Sequence, residues 1–171
     1  PYANSGMVVQ LEPSDWEGLG YSGPLGGVHF QHAVEKSCWK AAGQTQKAPA
    51  QRLVDFLNGI PSKDLPRTSY LPGVEAVNLH EVLPPLISKA LSEGLQTFVK
   101  RMPAFLNPEA VLVAPESRTS SPVRIPRDPT NLSHPEVLNL FPCGEGGGYA
   151  GGILSAALDG IRVADAIFES S

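Results

Sequence analysis

The residues best suited to bind a cofactor lie in one short segment near the end of the chain. Six of the 17 glycines fall between positions 144 and 152, within the sequence CGEGGGYAGG of residues 143–152. Because glycine has no Cβ, such a loop lets backbone N–H groups approach a ligand closely, and a helix that follows adds the positive end of its dipole. The pattern favours an anionic or electron-rich ligand group. The alternative is a loop that only allows a helix to pack closely.

A second candidate segment, residues 116–124, is rich in hydroxyl and guanidinium groups. In an extended chain Glu116, Arg118, Ser120 and Arg124 would share one face, because side chains alternate along a strand. An arginine on that face could bind a carboxylate or a phosphate through two parallel hydrogen bonds. The segment therefore predicts one wall of an active site. The alternative is a solvated strand edge with a Glu116–Arg118 ion pair.

Metal and disulfide chemistry are not predicted. His29 and His32 are three residues apart, but no other spacing of histidine, cysteine or aspartate supplies the further ligands that a metal ion needs. Cys38 and Cys143 are 105 positions apart and form no CxxC motif. We therefore expect two free, buried thiols.

The composition limits the classes of function. The formal net charge is −4 and no stretch concentrates Lys or Arg, which argues against a nucleic-acid surface. No apolar run approaches the ~20 residues of a membrane span, and the first ten residues lack a secretory signal. We therefore expect a soluble protein of a reducing intracellular or organellar compartment. The first residue is proline, so we also expect the chain to be a fragment of a longer protein.

Hydrophobic periodicity and the many glycines and prolines divide the chain into short elements. Helices are predicted over 30–42, 48–57, 153–168 and from the proline pair at 84–85 to 101. Strands are predicted over 5–12, 110–114 and 137–142, an extended segment over 121–125, and irregular structure over 17–27 and 60–77. The alternation of strands and helices predicts an α/β fold, with α+β as the alternative.

Residues 141–164, FPCGEGGGYAGGILSAALDGIRVA, closely resemble the C-terminal flavin motif of the uncharacterised NAD(FAD)-utilising dehydrogenases, which are FAD-dependent flavoproteins with two dinucleotide-binding folds. Three further segments resemble the same family: NSGMVV at 4–9, APAQRLVDFL at 48–57 and ESRTSSPVR at 116–124. The resemblance covers nearly the whole chain. It implies an oxidoreductase that transfers hydride or electrons between FAD and a nicotinamide or small organic substrate, with NAD(P)H as a candidate electron donor.

The resemblance also implies a domain organisation and residue roles. Residues 1–125 would be a portion of an inserted cap or substrate domain, and residues 126–171 the C-terminal strand, loop and helix of a Rossmann-like FAD-binding domain. The implied cofactor-binding residues are Gly144, Glu145, Gly148, Tyr149, Gly151, Gly152 and Ile153, and the implied catalytic residues are Arg118, Ser120 and Arg124. Glu145 would lie near the ribityl and pyrophosphate groups, and the N–H groups of 151–153 near the flavin pyrimidine edge. Tyr149 would pack on the cofactor or on the strand.

The glycine fingerprint that opens an FAD-binding domain does not occur in these 171 residues. We therefore expect a missing N-terminal half, or a partner chain, to complete the FAD site and to cover the apolar helix face of Ile153, Ala157, Ile161 and Ala164. The parent protein is expected to be an FAD-dependent oxidoreductase, whereas enzymatic activity of this chain alone is left open. The alternative function is a cofactor-free structural or partner-binding module derived from a flavoprotein.

Overall fold

A computed structural model describes residues 2–169 of the chain. The chain divides into two compact units, each built from two separate stretches of sequence. The first unit contains the residues up to Glu12 and the stretch Phe30–Ser117. The second unit contains Pro13–His29 and the residues from Arg118 onward. The glycine segment therefore shares a unit with Arg118, Ser120 and Arg124.

The described chain combines helices with one small mixed sheet. The helices are α1 (Pro13–Glu17), α2 (Gly26–Ala41), α3 (Leu53–Leu57), α4 (Leu79–Val82), α5 (Pro85–Arg101) and α6 (Ile153–Glu169), with a 3-10 helix at Pro103–Phe105. The strands β1 (Ala48–Arg52), β2 (Val74–Ala76) and β3 (Val111–Val113) lie in the order β2–β1–β3. β1 pairs with β2 in parallel and with β3 antiparallel. This architecture confirms the predicted α/β class.

The core of the first unit lies where β1 contacts α3 and α4, and where both of these helices contact α5. Its largest buried side chains include Leu53, Phe56, Leu79 and Leu95, each at most 2% exposed. Gln51 on β1 is also buried, and its side chain bonds at both ends: the amide donates to the Ile60 carbonyl and the amide oxygen accepts the Leu79 N–H, each at 2.8 Å. Because both ends are satisfied, this polar side chain can be buried and fixes the connection from α3 to α4.

The periodic segments are predicted best. α2, α5, α6 and β3 confirm the helices predicted over 30–42, 85–101 and 153–168 and the strand over 110–114. The helix predicted over 48–57 is wrong in its first half, because residues 48–52 form β1. Hydrogen bonds to strands on both sides of β1 outweigh the helical pattern there. β2 also lies within 60–77, which was predicted to be irregular.

The strands predicted over 5–12 and 137–142 do not form in the described part of the chain. In the second segment local hydrogen bonds replace a ladder: His134 Nδ1 accepts the N–H groups of Glu136 and Val137 at 3.1 and 3.0 Å. Asn139 there has a φ of 59°, which interrupts an extended chain. A strand needs a neighbour for its N–H and C=O groups, and residues 2–169 supply none to these segments. Residues 121–125 likewise join no ladder.

Helix α6 covers little of its apolar surface. Its buried residues are Asp159 and Val163, whereas Ile153, Leu154, Leu158, Ile161 and Phe168 are 91%, 80%, 63%, 58% and 85% exposed. Ala157 and Ala164 are exposed as well. The face on which the sequence predicts an apolar patch is therefore open. Within residues 2–169, neither α6 nor any other helix is both long and apolar enough to cross a membrane.

Candidate functional site

Residues 144–149, which we call the glycine turn, are held in shape by their own backbone. The Tyr149 N–H donates to the Gly144 carbonyl at 3.0 Å, and the Gly148 N–H donates to the Glu145 carbonyl at 2.9 Å. The Gly147 carbonyl accepts the N–H of Ile125 at 3.1 Å, which ties the turn to the preceding segment. These backbone groups bind the chain itself.

Two glycines of the turn are required by packing. A Cβ on Gly148 would lie 2.5 Å from the Val123 carbonyl oxygen and 2.8 Å from the Cα of Arg124. The φ of Gly148 is +82°, a region that other L residues rarely adopt. A Cβ on Gly147 would lie 3.0 Å from the backbone nitrogen and oxygen of Cys143. The internal packing of the chain is therefore enough to explain Gly147 and Gly148.

Three other glycines, which we call the open glycines, are not required by the chain. A Cβ on Gly146 would meet nothing within 4 Å, one on Gly151 would meet the Thr119 carbonyl oxygen at 4.0 Å, and one on Gly152 would meet Ser155 Oγ at 3.6 Å. None of the three has a left-handed φ. Since glycine costs conformational entropy and internal packing does not explain it here, these positions are the candidates for close approach by a ligand.

The first turn of α6 presents unbonded backbone donors. Ser155 Oγ accepts the Gly152 N–H at 3.1 Å and donates to the Gly152 carbonyl at 2.9 Å. The N–H groups of Gly151, Ile153 and Leu154 have no hydrogen-bond partner within residues 2–169. Gly151 to Leu154 are all exposed. With the positive end of the helix dipole, these donors can bind an electron-rich group.

A buried ion pair joins the glycine turn to α6. Arg127 Nη2 and Nη1 donate to Asp159 Oδ1 and Oδ2 at 2.7 and 2.9 Å, and both side chains are only 7% exposed. Arg127 Nη1 also donates to the Pro142 carbonyl at 2.9 Å, and the Gly144 N–H donates to Asp159 Oδ2 at 2.9 Å. The pair therefore fixes the backbone on both sides of Cys143.

Hydrogen bonding keeps both members of this ion pair charged. The side-chain hydrogen bond from Arg127 is the main cause that lowers the pKa of Asp159, and the Gly144 N–H adds to it, while burial acts in the opposite direction. The hydrogen bond to Asp159 likewise raises the pKa of Arg127 against the effect of burial. At neutral pH the pair is therefore a carboxylate and a guanidinium.

The Tyr149 ring packs against two arginines of the same unit. The guanidinium carbons of Arg127 and Arg124 lie 3.6 and 4.4 Å from the ring centroid. The Tyr149 hydroxyl donates to the Ile125 carbonyl at 2.6 Å. These contacts anchor the end of the glycine turn by cation–π and hydrogen-bond interactions. A contact of Tyr149 with a cofactor stays a prediction.

The predicted catalytic segment passes beside the open glycines. The Thr119 carbonyl, between Arg118 and Ser120, is the atom nearest to a Cβ on Gly151. Arg118, Ser120 and Arg124 are exposed, as is Glu145 on the glycine turn. The side chains of Ser120 and Glu145 make no hydrogen bond within the described residues. The structure thus brings the backbone of the two predicted segments together and leaves these polar side chains accessible.

Sequence reasoning missed Arg127 and Asp159. Asp159 lies four residues before Val163, so both fall on the one buried stripe of α6. A carboxylate on a buried stripe requires a partner, and this was the available signal. Its partner Arg127 has no comparable signature in the sequence.

The two cysteines lie in different environments. Cys38 in α2 is buried, and its burial, with the nearby Glu35 carboxylate, raises the pKa of its thiol to about 11. Cys143 is exposed, so the prediction of two buried thiols is wrong there. The cause is that residues 137–142 do not form the buried strand that would have led into Cys143. Across residues 2–169, no three His, Cys, Asp or Glu side chains are grouped as a metal site requires.

Comparison with known proteins assigns the chain to a family. Residues 1–119 match the family described as FAD-dependent protein, C-terminal domain-like. The chain belongs to this family. The match covers the whole sequence of the first unit and the stretch Pro13–His29 of the second, and it ends before the glycine turn. It makes the chain a flavoprotein-related domain.

A longer relative includes the glycine segment in the similarity. An uncharacterized protein of Clostridium beijerinckii is 42% identical over 169 residues, which are 98% of this chain and 31% of the relative. The chain therefore spans less than one third of that relative.

Proposed function

We propose that the chain supplies the flavin-facing C-terminal part of an FAD site in an oxidoreductase of the NAD(FAD)-utilising dehydrogenase type. One observation carries the proposal: in a chain of an FAD-dependent family, open glycines lie beside a helix start whose N–H groups are unbonded. The substrates would be a nicotinamide nucleotide, with NAD(P)H as a candidate electron donor, or a small organic molecule.

The start of α6 is suited to the pyrimidine edge of the flavin ring. That edge carries carbonyl oxygens, on which negative charge collects when the ring is reduced. The N–H groups of Gly151 and Ile153 are available to these oxygens, and the absence of a side chain at Gly152 leaves the ring room to approach. FAD, when bound, supplies the hydride chemistry. The chain orients the ring and polarises it through fixed donors.

The glycine turn is suited to the ribityl part of the cofactor. Its exposed carboxylate, Glu145, can accept hydrogen bonds from the ribityl hydroxyls. Gly144, with a φ of +65°, and Gly148 shape the turn that presents this carboxylate. Tyr149, which is half-buried, closes the turn and would pack on the cofactor.

The segment at 118–124 would form the substrate wall beside the flavin ring. Arg118 and Arg124 would bind a substrate carboxylate or a cofactor phosphate, and Ser120 would donate or accept one hydrogen bond. This assignment predicts a change in substrate binding rather than in FAD binding when Arg118 is lost. For Arg118→Ala we expect a raised KM for an acidic substrate, with incomplete rescue by Arg118→Lys because lysine lacks the planar fork. Equal kinetics of wild type and Arg118→Ala would exclude a catalytic part for this segment.

The site proposed here is incomplete within this chain. The apolar residues of α6 are exposed, and most of the length of the 42%-identical relative lies outside the match. We therefore propose that residues 126–171 are the end of an FAD-binding domain whose N-terminal half supplies the pyrophosphate fingerprint and covers α6. Residues 1–125 would contribute mostly to an inserted cap domain.

A second candidate is a cofactor-free module that binds a partner protein. The same exposed face of α6 favours it, because a large apolar surface is typical of an interaction site. The two candidates differ in one observable: the purified full-length protein carries a flavin absorption spectrum only under the first.

The proposed function is tested by blocking the approach to Gly152. A Cβ there meets only Ser155 Oγ at 3.6 Å, so Gly152→Val should leave the fold intact and displace the flavin. The matched control is Gly94→Val in α5, where a Cβ meets nothing within 4 Å. In the full-length protein we expect loss of bound FAD in Gly152→Val and retention in Gly94→Val. Stoichiometric FAD in both would mean that the loop serves packing alone.

A further inference from the structure

The Arg127–Asp159 pair makes four hydrogen bonds, and two of them end on backbone. Arg127 Nη1 holds the Pro142 carbonyl and Asp159 Oδ2 holds the Gly144 N–H, each at 2.9 Å. Both atoms belong to the chain that enters the glycine turn. Asp159 itself lies on α6, six residues after Ile153. The pair therefore connects the beginning of the turn rigidly to the helix that follows the turn.

The exit of the turn is fixed by the same arginine. The guanidinium of Arg127 lies 3.6 Å from the centroid of the Tyr149 ring. Between Tyr149 and the first residue of α6 remain residues 150–152, two of which are open glycines. Without restraint at both ends, three residues with two glycines would sample many conformations.

Stability alone does not require this ion pair. A buried pair loses hydration, and an apolar pair of similar volume is often as stable. An apolar pair could not hold the Pro142 carbonyl and the Gly144 N–H in place, however. The distinctive property of the charged pair is that it fixes backbone geometry.

We propose that Arg127 and Asp159 are positioning residues of the flavin site. They hold the glycine turn in one conformation on α6, so that the donors at Gly151 and Ile153 are preorganised before the cofactor arrives. This inference rests on the proposed function. Neither side chain needs to touch the flavin, since each acts through the backbone of the turn.

The first test follows the turn in the 171-residue chain without cofactor. The double variant Arg127→Met with Asp159→Leu removes both charges together, so no unpaired ion is left in the fold. We expect amide hydrogen exchange of residues 143–149 to be about tenfold faster or more, while that of β1 is unchanged. Asp165→Asn, an exposed acid on the same helix, is the control and should have no effect. Unchanged exchange in the turn would overturn the proposal.

The second test measures the flavin in the full-length protein. Arg127→Lys keeps the charge but lacks the planar fork whose two nitrogens bond both oxygens of Asp159 and the Pro142 carbonyl. We expect FAD to bind about tenfold more weakly and the flavin potential to become more negative. A tenfold loss of preference for the reduced ring corresponds to about 30 mV for a two-electron couple. Asp165→Asn should change neither value.

The outcomes separate the two proposals. If the wild-type full-length protein binds no FAD, the proposed function is wrong and the positioning role falls with it. If wild type binds FAD and Arg127→Lys and the double variant keep its affinity and potential, only the positioning role is wrong. In that second case the ion pair serves the fold alone.

Discussion

The two halves of the glycine segment look alike in sequence and differ in structure. In the glycine turn, Gly147 and Gly148 sit against backbone atoms that a Cβ would strike. At the start of α6, a Cβ on Gly151 or Gly152 would meet no atom closer than 3.6 Å, and neighbouring N–H groups are unbonded. The glycine segment therefore contains two groups of glycines, and each group has a different structural reason for the absence of a side chain. Only the open glycines, which are Gly146 in the turn and Gly151 and Gly152 in the second half, leave space that the chain itself does not fill.

The largest effect should follow from a substitution in the first half. Gly148→Ala would place a Cβ 2.5 Å from the Val123 carbonyl oxygen at a φ of +82°, and we expect a loss of roughly 3 kcal/mol in the free energy of unfolding. The same change at Gly152 should stay within about 0.5 kcal/mol. Urea denaturation of the two variants measures both. Similar losses at both positions would remove the distinction between the halves.

The Arg127–Asp159 ion pair, which holds the glycine turn, should make the stability of the chain sensitive to acid. Asp159 has a lowered pKa in the folded chain, so its contribution is complete above the pKa of an unfolded aspartate, about 3.9, and is lost as the pH falls through the folded value. We expect the wild-type chain to lose more stability than the Arg127→Met, Asp159→Leu double variant between pH 5 and the acid limit. Denaturation midpoints across that range test this. If the stabilities of the wild-type chain and the double variant changed in parallel with pH, Arg127 and Asp159 would not be a charged pair in the folded chain.

A smaller effect is expected at the carboxylate that the turn presents. Glu145→Gln keeps the shape of the side chain and makes no change to hydrogen bonds within the described chain, so stability should be unchanged. If the carboxylate accepts ribityl hydroxyls, FAD binding by the full-length protein should weaken by roughly 1 to 3 kcal/mol. Titration of the apoprotein with FAD gives the value. Unchanged affinity would leave Glu145 as a surface residue of the turn.

Local patterns in the sequence were enough for the long helices α2, α5 and α6 and for β3, but not for the short helices α1 and α4. Pairing between segments decided the remaining strands. The run 48–57 has helical spacing, yet Ala48–Arg52 finds strands on both sides and becomes β1. The run 137–142 has a strand-like composition, yet it has no neighbouring strand in residues 2–169 and folds onto His134. Whether a short apolar run becomes a strand depends on partners distant in sequence, and no local pattern records them.

The candidate site was predictable to a similar extent. The glycine segment was identified from its composition, and the segment 116–124 from its alternating polar face together with the family resemblance. The structure places the backbones of the two segments near each other at Thr119 and Gly151. The division into packing and open glycines required φ angles and Cβ distances. Arg127 was not predictable, since its role depends on a partner 32 residues away.

We propose that this chain holds one part of a flavin site and that another part of the parent protein completes it. The most direct measurement is a titration of FAD into the 171-residue chain, alone and mixed with the remaining N-terminal part of the parent, followed by flavin absorbance and fluorescence. We predict weak or undetectable binding by the chain alone and stoichiometric binding by the mixture, with the exposed face of α6 protected from hydrogen exchange. Tight binding by the chain alone, or no binding by the mixture, would contradict the account.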